Sequence, residues 1–299
     1  MKDAEPPPTA EQRELTEPAR RARAALADVA PVPGAAKPDP ILAAVEIRRN
    51  FGGIVAVDVA RVEVQRGSIT ALIGPNGAGK TTFFNLITGF DKPSTGTWTF
   101  DGAPMGGLAP HRMAARGMVR TFQLTKSLTK LPVIENMKLG ATGQKGEKWW
   151  NGLFPARWKA QEAEIEARAD DLLRRFKLDH MRDEYAGALS GGQRKLLEMA
   201  RALMTDPTLV MLDEPMAGVN PALKQSLNQH VRGLRDDGMT VLFVEHDMDM
   251  VHDISDWVIV MAEGQVIAEG TPDDISSNTA VIDAYLGAHQ GRSLLEDEV

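Results

Sequence analysis

Residues 68–89 read SITALIGPNGAGKTTFFNLITG, and this stretch decides the fold. SITALIG is a short, largely apolar run with β-branched residues, the pattern of a buried strand. A turn carrying Gly74, Gly77 and Gly79 follows it. TTFFNLIT then reads as a helix, and Gly89 supplies its stop signal. In this strand–turn–helix setting, Gly74-Pro75-Asn76-Gly77-Ala78-Gly79-Lys80-Thr81 satisfies G-x-x-x-x-G-K-[ST]. The glycines let backbone N–H groups turn inward around phosphate oxygens, and the helix N-terminus adds a favourable dipole. Lys80 is placed to reach the β- and γ-phosphates of a nucleotide, and the Thr81 hydroxyl to ligate Mg²⁺. Thr82 lies on the α-phosphate side of the turn.

Downstream, LVMLD (209–213) and TVLFVE (240–245) read as buried strands, with a helix starting near Pro221 between them. DWVIVMA gives a third strand before a turn at Glu263-Gly264. Strands alternating with helices imply a parallel sheet. Upstream, AVEIRR and VDVARVEVQ alternate apolar and polar residues as antiparallel strands do. Residues 159–178 form an amphipathic pattern in which Ile165, Ala169, Leu172, Leu173 and Phe176 recur at helical spacing. The expected architecture is therefore α/β: a P-loop core with a parallel sheet, an antiparallel β subdomain, and an inserted helical subdomain over about 124–205.

The strand 209–212 ends in Asp213-Glu214. Asp213 then sits at the carboxyl edge of the sheet, where a Mg²⁺ shell belongs, and Glu214 can polarise an attacking water. Leu189-Ser190-Gly191-Gly192-Gln193 opens another helix. Serine Oγ, bare backbone N–H groups and helix dipole make it a second anion-binding turn, although a plain N-cap at Ser190 fits the same residues. One P-loop already cradles one nucleotide, so a second such turn points to ATP held by another subunit.

Residues 1–40 hold eight of the chain's 18 prolines and almost no large apolar side chains. They read as a disordered arm, with a short helix possible over Glu11–Leu26. The main domain then spans 41–290, with a tail at 291–299. The longest apolar runs are strand-sized, well short of the ~18 residues that mark a membrane span. With no cysteine, disulfides and thiolate metal sites are excluded. MKDAEPPPTAEQ lacks the order of a secretion signal. A net charge of −7, with no strongly basic stretch, argues against a nucleic-acid partner.

The order GPNGAGKTT, TFQ, LSGGQ, LVMLDEP, VEHD resembles the ABC ATPase family over roughly 41–290. The resemblance implies ATP hydrolysis with Mg²⁺ in a sandwich of two ATPase chains. It implies that Gln123 senses the γ-phosphate, Mg²⁺ and the membrane partner. It also gives His246 a switch role at the γ-phosphate beside Glu214, and puts Phe51 under adenine, where a core phenylalanine is the rival reading. Asn220 departs from the pattern, which often has aspartate there. FFNLITGF, RTFQ, VIENM, MAGVNP, VEHDMDMV and AEGTPDDI…AYLG resemble branched-chain amino-acid importer subunits. Those imply membrane permease subunits, a second and different ATPase chain (a homodimer being the alternative), a solute-binding protein, and a place on the cytoplasmic face of the membrane. A soluble cluster-assembly ATPase is the competing function. Trp149, Trp150 and Trp158, three of five tryptophans, cluster with Phe154 as either a subdomain core or a docking patch.

Overall fold

The computed structural model describes residues 15–121, 128–143 and 159–286. Two sheets organise them. In the first, β1 (Pro40–Phe51), β2 (Ile54–Gln65), β4 (Thr95–Phe100) and β5 (Ala103–Pro104) run antiparallel in the order β2-β1-β4-β5. The second has six strands in the order β10-β9-β3-β8-β7-β6. Its strands are β3 (Ile69–Ile73), β6 (Met118–Arg120), β7 (Leu209–Asp213), β8 (Thr240–Val244), β9 (Trp257–Ala262) and β10 (Gln265–Gly270). All neighbours there are parallel except the β9–β10 hairpin.

Every residue of β3, β7 and β8 is buried, as expected for strands covered on both faces. Alternate residues sort into two cores. Ile73, Leu212 and Phe243 join the helices on one face, while Leu72, Met211 and Leu242 meet the antiparallel sheet and α2 (Lys80–Ile87) on the other. The first core continues into α4 (Val133–Lys138), α5 (Lys159–Arg175) and α6 (Gly191–Ala202) through Met137, Leu173 and Leu197. A short α3 (Pro110–Ala114) precedes β6. Helices α7 (Pro221–Asp236), α8 (Met248–Ile254) and α9 (Pro272–Ser276) join the same core, as do the helical residues 279–286 through Val281. The α/β expectation holds, and Ala169, Leu173 and Phe176 are fully buried as the helical spacing required.

The disordered reading of 1–40 does not hold over 15–40. Residues 17–27 form α1 (Glu17–Ala27), whose Ala19, Ala22 and Leu26 are buried on one face. Thr16 donates to Asp236 at 2.7 Å, and Arg23 pairs with the buried Asp256 at 2.9 Å. Asp256 also accepts from Arg235 and from the Ile69 amide, so the helix is tied to the root of β3. Beyond α1, the Lys37 ammonium meets Glu269 at 2.9 Å, both side chains being at most 1% exposed. Glu269 accepts as well from the Gly34 amide and Trp257 Nε1, and the Lys37 amide donates to Glu63. Composition misled because the buried apolar groups are mostly alanines, and the anchoring carboxylates lie far away in sequence.

Candidate functional site

The loop after β3 is shaped by close packing as much as by freedom. Gly74 has φ +146°, and a Cβ there would lie 2.0 Å from the Met261 carbonyl oxygen. Gly79 has φ +94°, and its Cβ would meet the Ala56 carbonyl at 2.5 Å. Neither position accepts another residue without moving backbone. Between them Asn76 and Gly77 are exposed, as is Thr81 in the first turn of α2, with Thr82 half-buried and Ala78 buried. Lys80 is buried, and its ammonium donates to the carbonyls of Gly74 at 2.7 Å and Pro75 at 2.9 Å. Burial lowers its pKa, with Glu214 opposing. No carboxylate lies within ion-pair distance of Lys80 among the described residues. A buried cation bonded only to carbonyls, at the base of an open glycine loop, suits a polyphosphate.

Parallel pairing of β3, β8 and β7 brings the P-loop and the acid pair to one edge of the sheet: Leu72 and Asp213 both pair with Val244. Asp213 is buried and bound by Arg120 at 2.6 Å. Arg120 also donates to Asn85 and Thr88 at the end of α2, linking the β6 edge to the helix that follows the P-loop. Arg120 had no part in the sequence reading of RTFQ; its position directly before the segment leading to Gln123 was the available signal.

Glu214 adopts φ +47°, unusual for a residue with a side chain. Its amide donates to the Val244 carbonyl at 3.0 Å, and its Oε1 lies 2.9 Å from His246 Nε2. The structure thus brings together Glu214 and His246, 32 positions apart, beside Asp213. Glu245, neighbour of His246, is buried; its Oε1 accepts from the Met216 amide at 2.7 Å and its Oε2 from the His246 amide at 3.1 Å. Burial raises the Glu245 pKa, and those two N–H groups oppose the rise.

At the second glycine turn, Ser190 caps α6 in a full capping box. Its Oγ accepts from the Gln193 amide at 3.2 Å, while Gln193 Oε1 accepts from the Ser190 amide at 2.9 Å. Gly191 is exposed with open space around its Cα. Gly192 is needed for a different reason: a Cβ there would fall 1.6 Å from Leu223 Cδ2, at the start of α7. Among the described residues, no hydrogen bond or ion pair joins Ser190–Gln193 to the 74–82 loop. Asn220 caps α7 by accepting from the Leu223 amide at 2.9 Å.

Phe51 ends β1 at the hairpin turn, half exposed, with the Arg49 guanidinium 4.5 Å from its ring centroid. It is therefore not a core residue, and one ring face is already covered by a cation. Gln123 and the Trp149–Trp158 cluster lie outside the described residues. No helix among the described residues is long and apolar enough to cross a membrane.

A phosphate loop, an acid pair and a capped glycine turn on this two-sheet frame define an ATP-binding cassette. The family model described as ABC transporter matches residues 57–217, and one described as branched-chain amino acid ATP-binding cassette transporter matches 265–290. The chain is 43% identical over 248 residues to an Archaeoglobus fulgidus protein named probable branched-chain amino acid transport ATP-binding protein LivG, covering 83% of this chain and 96% of that one. It is 39% identical to the Pseudomonas aeruginosa high-affinity branched-chain amino acid transport ATP-binding protein BraF, over 83% and 98% of the two chains. A crystal structure of the ADP conformation of an ABC transporter cassette superposes with TM-score 0.73 at 39% identity, covering 83% of this chain and 99% of that one. The chain belongs to the ABC transporter family of ATP-binding proteins, and it is an ATPase.

Proposed function

We propose that this chain hydrolyses ATP to drive a membrane importer of branched-chain amino acids or a related small solute. The observation that carries the hydrolytic reading is the Glu214–His246 contact of 2.9 Å beside Asp213, at the sheet edge that also carries the P-loop. The relatives' names support transport over a soluble cluster-assembly role.

In this reading the 74–82 loop cradles the phosphates, and the buried Lys80 gives up its carbonyl partners for β- and γ-phosphate oxygens. Phe51 offers the ring face not taken by Arg49 to adenine. Thr81, through its exposed hydroxyl, Asp213 and Gln123 would hold Mg²⁺, which would neutralise charge on the phosphates. Asp213 would be shared between that ion and Arg120. Glu214 accepts a proton from the attacking water or orients it, and His246 holds the carboxylate and meets the γ-phosphate. Ser190, Gly191, Gly192 and Gln193 close over ATP held by a second ATPase chain, a different one by the sub-family likeness. The chain works on the cytoplasmic face of the membrane, bound to permease subunits that receive solute from a binding protein.

The test is a mixed assembly in which this chain is wild type and only the partner ATPase has its equivalent glycine turn disrupted. Hydrolysis of ATP bound at Lys80 should collapse. A normal rate, or an active monomer at high dilution, would refute the shared site.

A further inference from the structure

The loop 214–217 carries the carboxylate assigned above as the base, and its backbone is held in a conformation that side chains rarely adopt, with Glu214 at φ +47°. Something must hold it there. From one side, Lys195 of α6 reaches into the loop. Its ammonium donates to the carbonyls of Glu214 at 3.4 Å, Pro215 at 2.9 Å and Ala217 at 2.5 Å. An ammonium has three N–H donors, so the loop takes them all. Among the described residues Lys195 makes no ion pair within 4 Å, although the Glu198, Glu214 and Glu245 carboxylates surround it. From the other side, Glu245 accepts the Met216 amide, and its second oxygen accepts the amide of His246.

A purely structural position could be served by neutral partners, whereas here both partners are charged. Ordering a lysine side chain costs rotamer entropy, and burying it removes water from the charge. Of the three carbonyls only that of the exposed Ala217 lies where water could replace the ammonium; Glu214 is half-buried and Pro215 buried. What the two charged groups achieve together is geometric: one fixes carbonyls, the other fixes amides, and Glu245 fixes the loop and the His246 backbone with one carboxylate.

We propose that Lys195 and Glu245 are positioning residues for hydrolysis, clamping the 214–217 loop from its carbonyl and amide sides so that Glu214 is held against His246. The proposal rests on the reading of Glu214 as the water-activating group. It adds a second consequence, because Lys195 lies five residues after Ser190 on one helix. The helix opened by the turn assigned to the neighbouring ATP is thereby bonded to the loop that serves the chain's own ATP.

The experiment uses the complete transporter in membranes or nanodiscs, with four single variants of this chain, Lys195→Met, Lys195→Arg, Glu245→Gln and Glu214→Gln, and the double variant of Glu214→Gln with Lys195→Met. Lys195→Met should lower kcat tenfold or more while KM for ATP stays within twofold, the pattern of a lost transition-state geometry rather than lost binding. Lys195→Arg, which can still donate to at least two of the carbonyls, should recover to within threefold of wild type. Glu245→Gln keeps one acceptor for the two amides and should fall between them; it carries the test if Lys195→Met does not fold. In a Glu214→Gln background, adding Lys195→Met should leave the residual rate unchanged, because the clamp acts through Glu214. A wild-type kcat in Lys195→Met, or a further tenfold loss on top of Glu214→Gln, overturns the clamp. Normal turnover in Glu214→Gln alone overturns instead the assignment of Glu214, so the two failures are distinct.

Discussion

Replacing Lys37 by methionine tests whether the segment before β1 is part of the folded domain. The change keeps the apolar stem and removes the ammonium from a pair whose side chains are 1% and 0% exposed. Glu269 would be left charged and buried, and breaking such a pair costs about 3–5 kcal/mol. Two donors remain to it, the Gly34 amide and Trp257 Nε1, which puts the expected loss near the lower end, about 3 kcal/mol. Loss of the ammonium from its place 4.5 Å from the Trp257 ring centroid works in the same direction. For a domain of this size each kcal/mol shifts Tm by about 2–4 °C, so the variant should melt roughly 6–12 °C lower by calorimetry. Trp257 sits at the lesion and provides a local fluorescence report of the same transition. Adding Glu269→Gln should recover part of the loss, because an amide tolerates burial without a counter-charge. A Lys37→Met protein melting within 1 °C of wild type would show that the Lys37–Glu269 pair does not anchor the segment, and would return residues 28–39 to the status of a loose tail.

Further outcomes follow from other contacts. Lys80→Ala should weaken ATP binding at least tenfold at matched Mg²⁺ in a direct binding titration, since the buried cation of the loop is lost; equal affinity would remove Lys80 from that role. Asn220→Ala should cost about 1 kcal/mol through loss of the α7 cap, while Asn220→Asp should not, with Tm as the readout. His230 stacks on Phe176 at 4.5 Å, and burial, reinforced by Arg175 and Lys177, lowers its pKa to about 4. The unfolded chain takes up a proton that the folded one refuses between pH 6.5 and about 4, so stability must fall as pH falls through that window. His230→Phe should keep the stacking and flatten that part of the stability profile; an unchanged slope would assign it elsewhere.

Much of the site was readable because it is local. The P-loop announces itself through one contiguous run whose strand, turn and helix are all sequence-coded, and Asp213-Glu214 follows from a buried strand ending in acids. The pairing of Glu214 with His246 was less accessible, since it arises from β7 and β8 lying side by side in register. Glu245 stood in the quoted VEHD and Lys195 two residues beyond the quoted LSGGQ, but neither gave a sign of function, because their bonds go to backbone atoms of a loop whose course no periodicity reveals. The segment 15–40 was misread for a related reason. Proline content and small apolar residues describe a chain that cannot fold by itself, and this one does not need to: Asp236, Asp256, Glu63 and Glu269 hold it from outside. Gly192, read from the sequence as part of an anion-binding turn, also has to make room for Leu223, a demand that no local pattern announces.

The anchors of that N-terminal segment set an order of events during synthesis. Thr16 bonds to a residue 220 positions later, Arg23 to one 233 later and Lys37 to one 232 later. The segment therefore leaves the ribosome well before the strands and helices that receive it exist. At roughly 5–20 residues per second, those partners follow only after about ten seconds or more. Until then the Lys37 ammonium lacks Glu269 and Arg23 lacks Asp256, although partners for Leu26 in β1 and β2, and Glu63 for the Lys37 amide, follow much sooner. Mixed charge and proline, the features that made the segment look unstructured, are what keep such a stretch dispersed while it waits. Among the described residues its hydrogen bonds close the longest loops, which makes its docking a late step of folding and an early point of release when the domain begins to open.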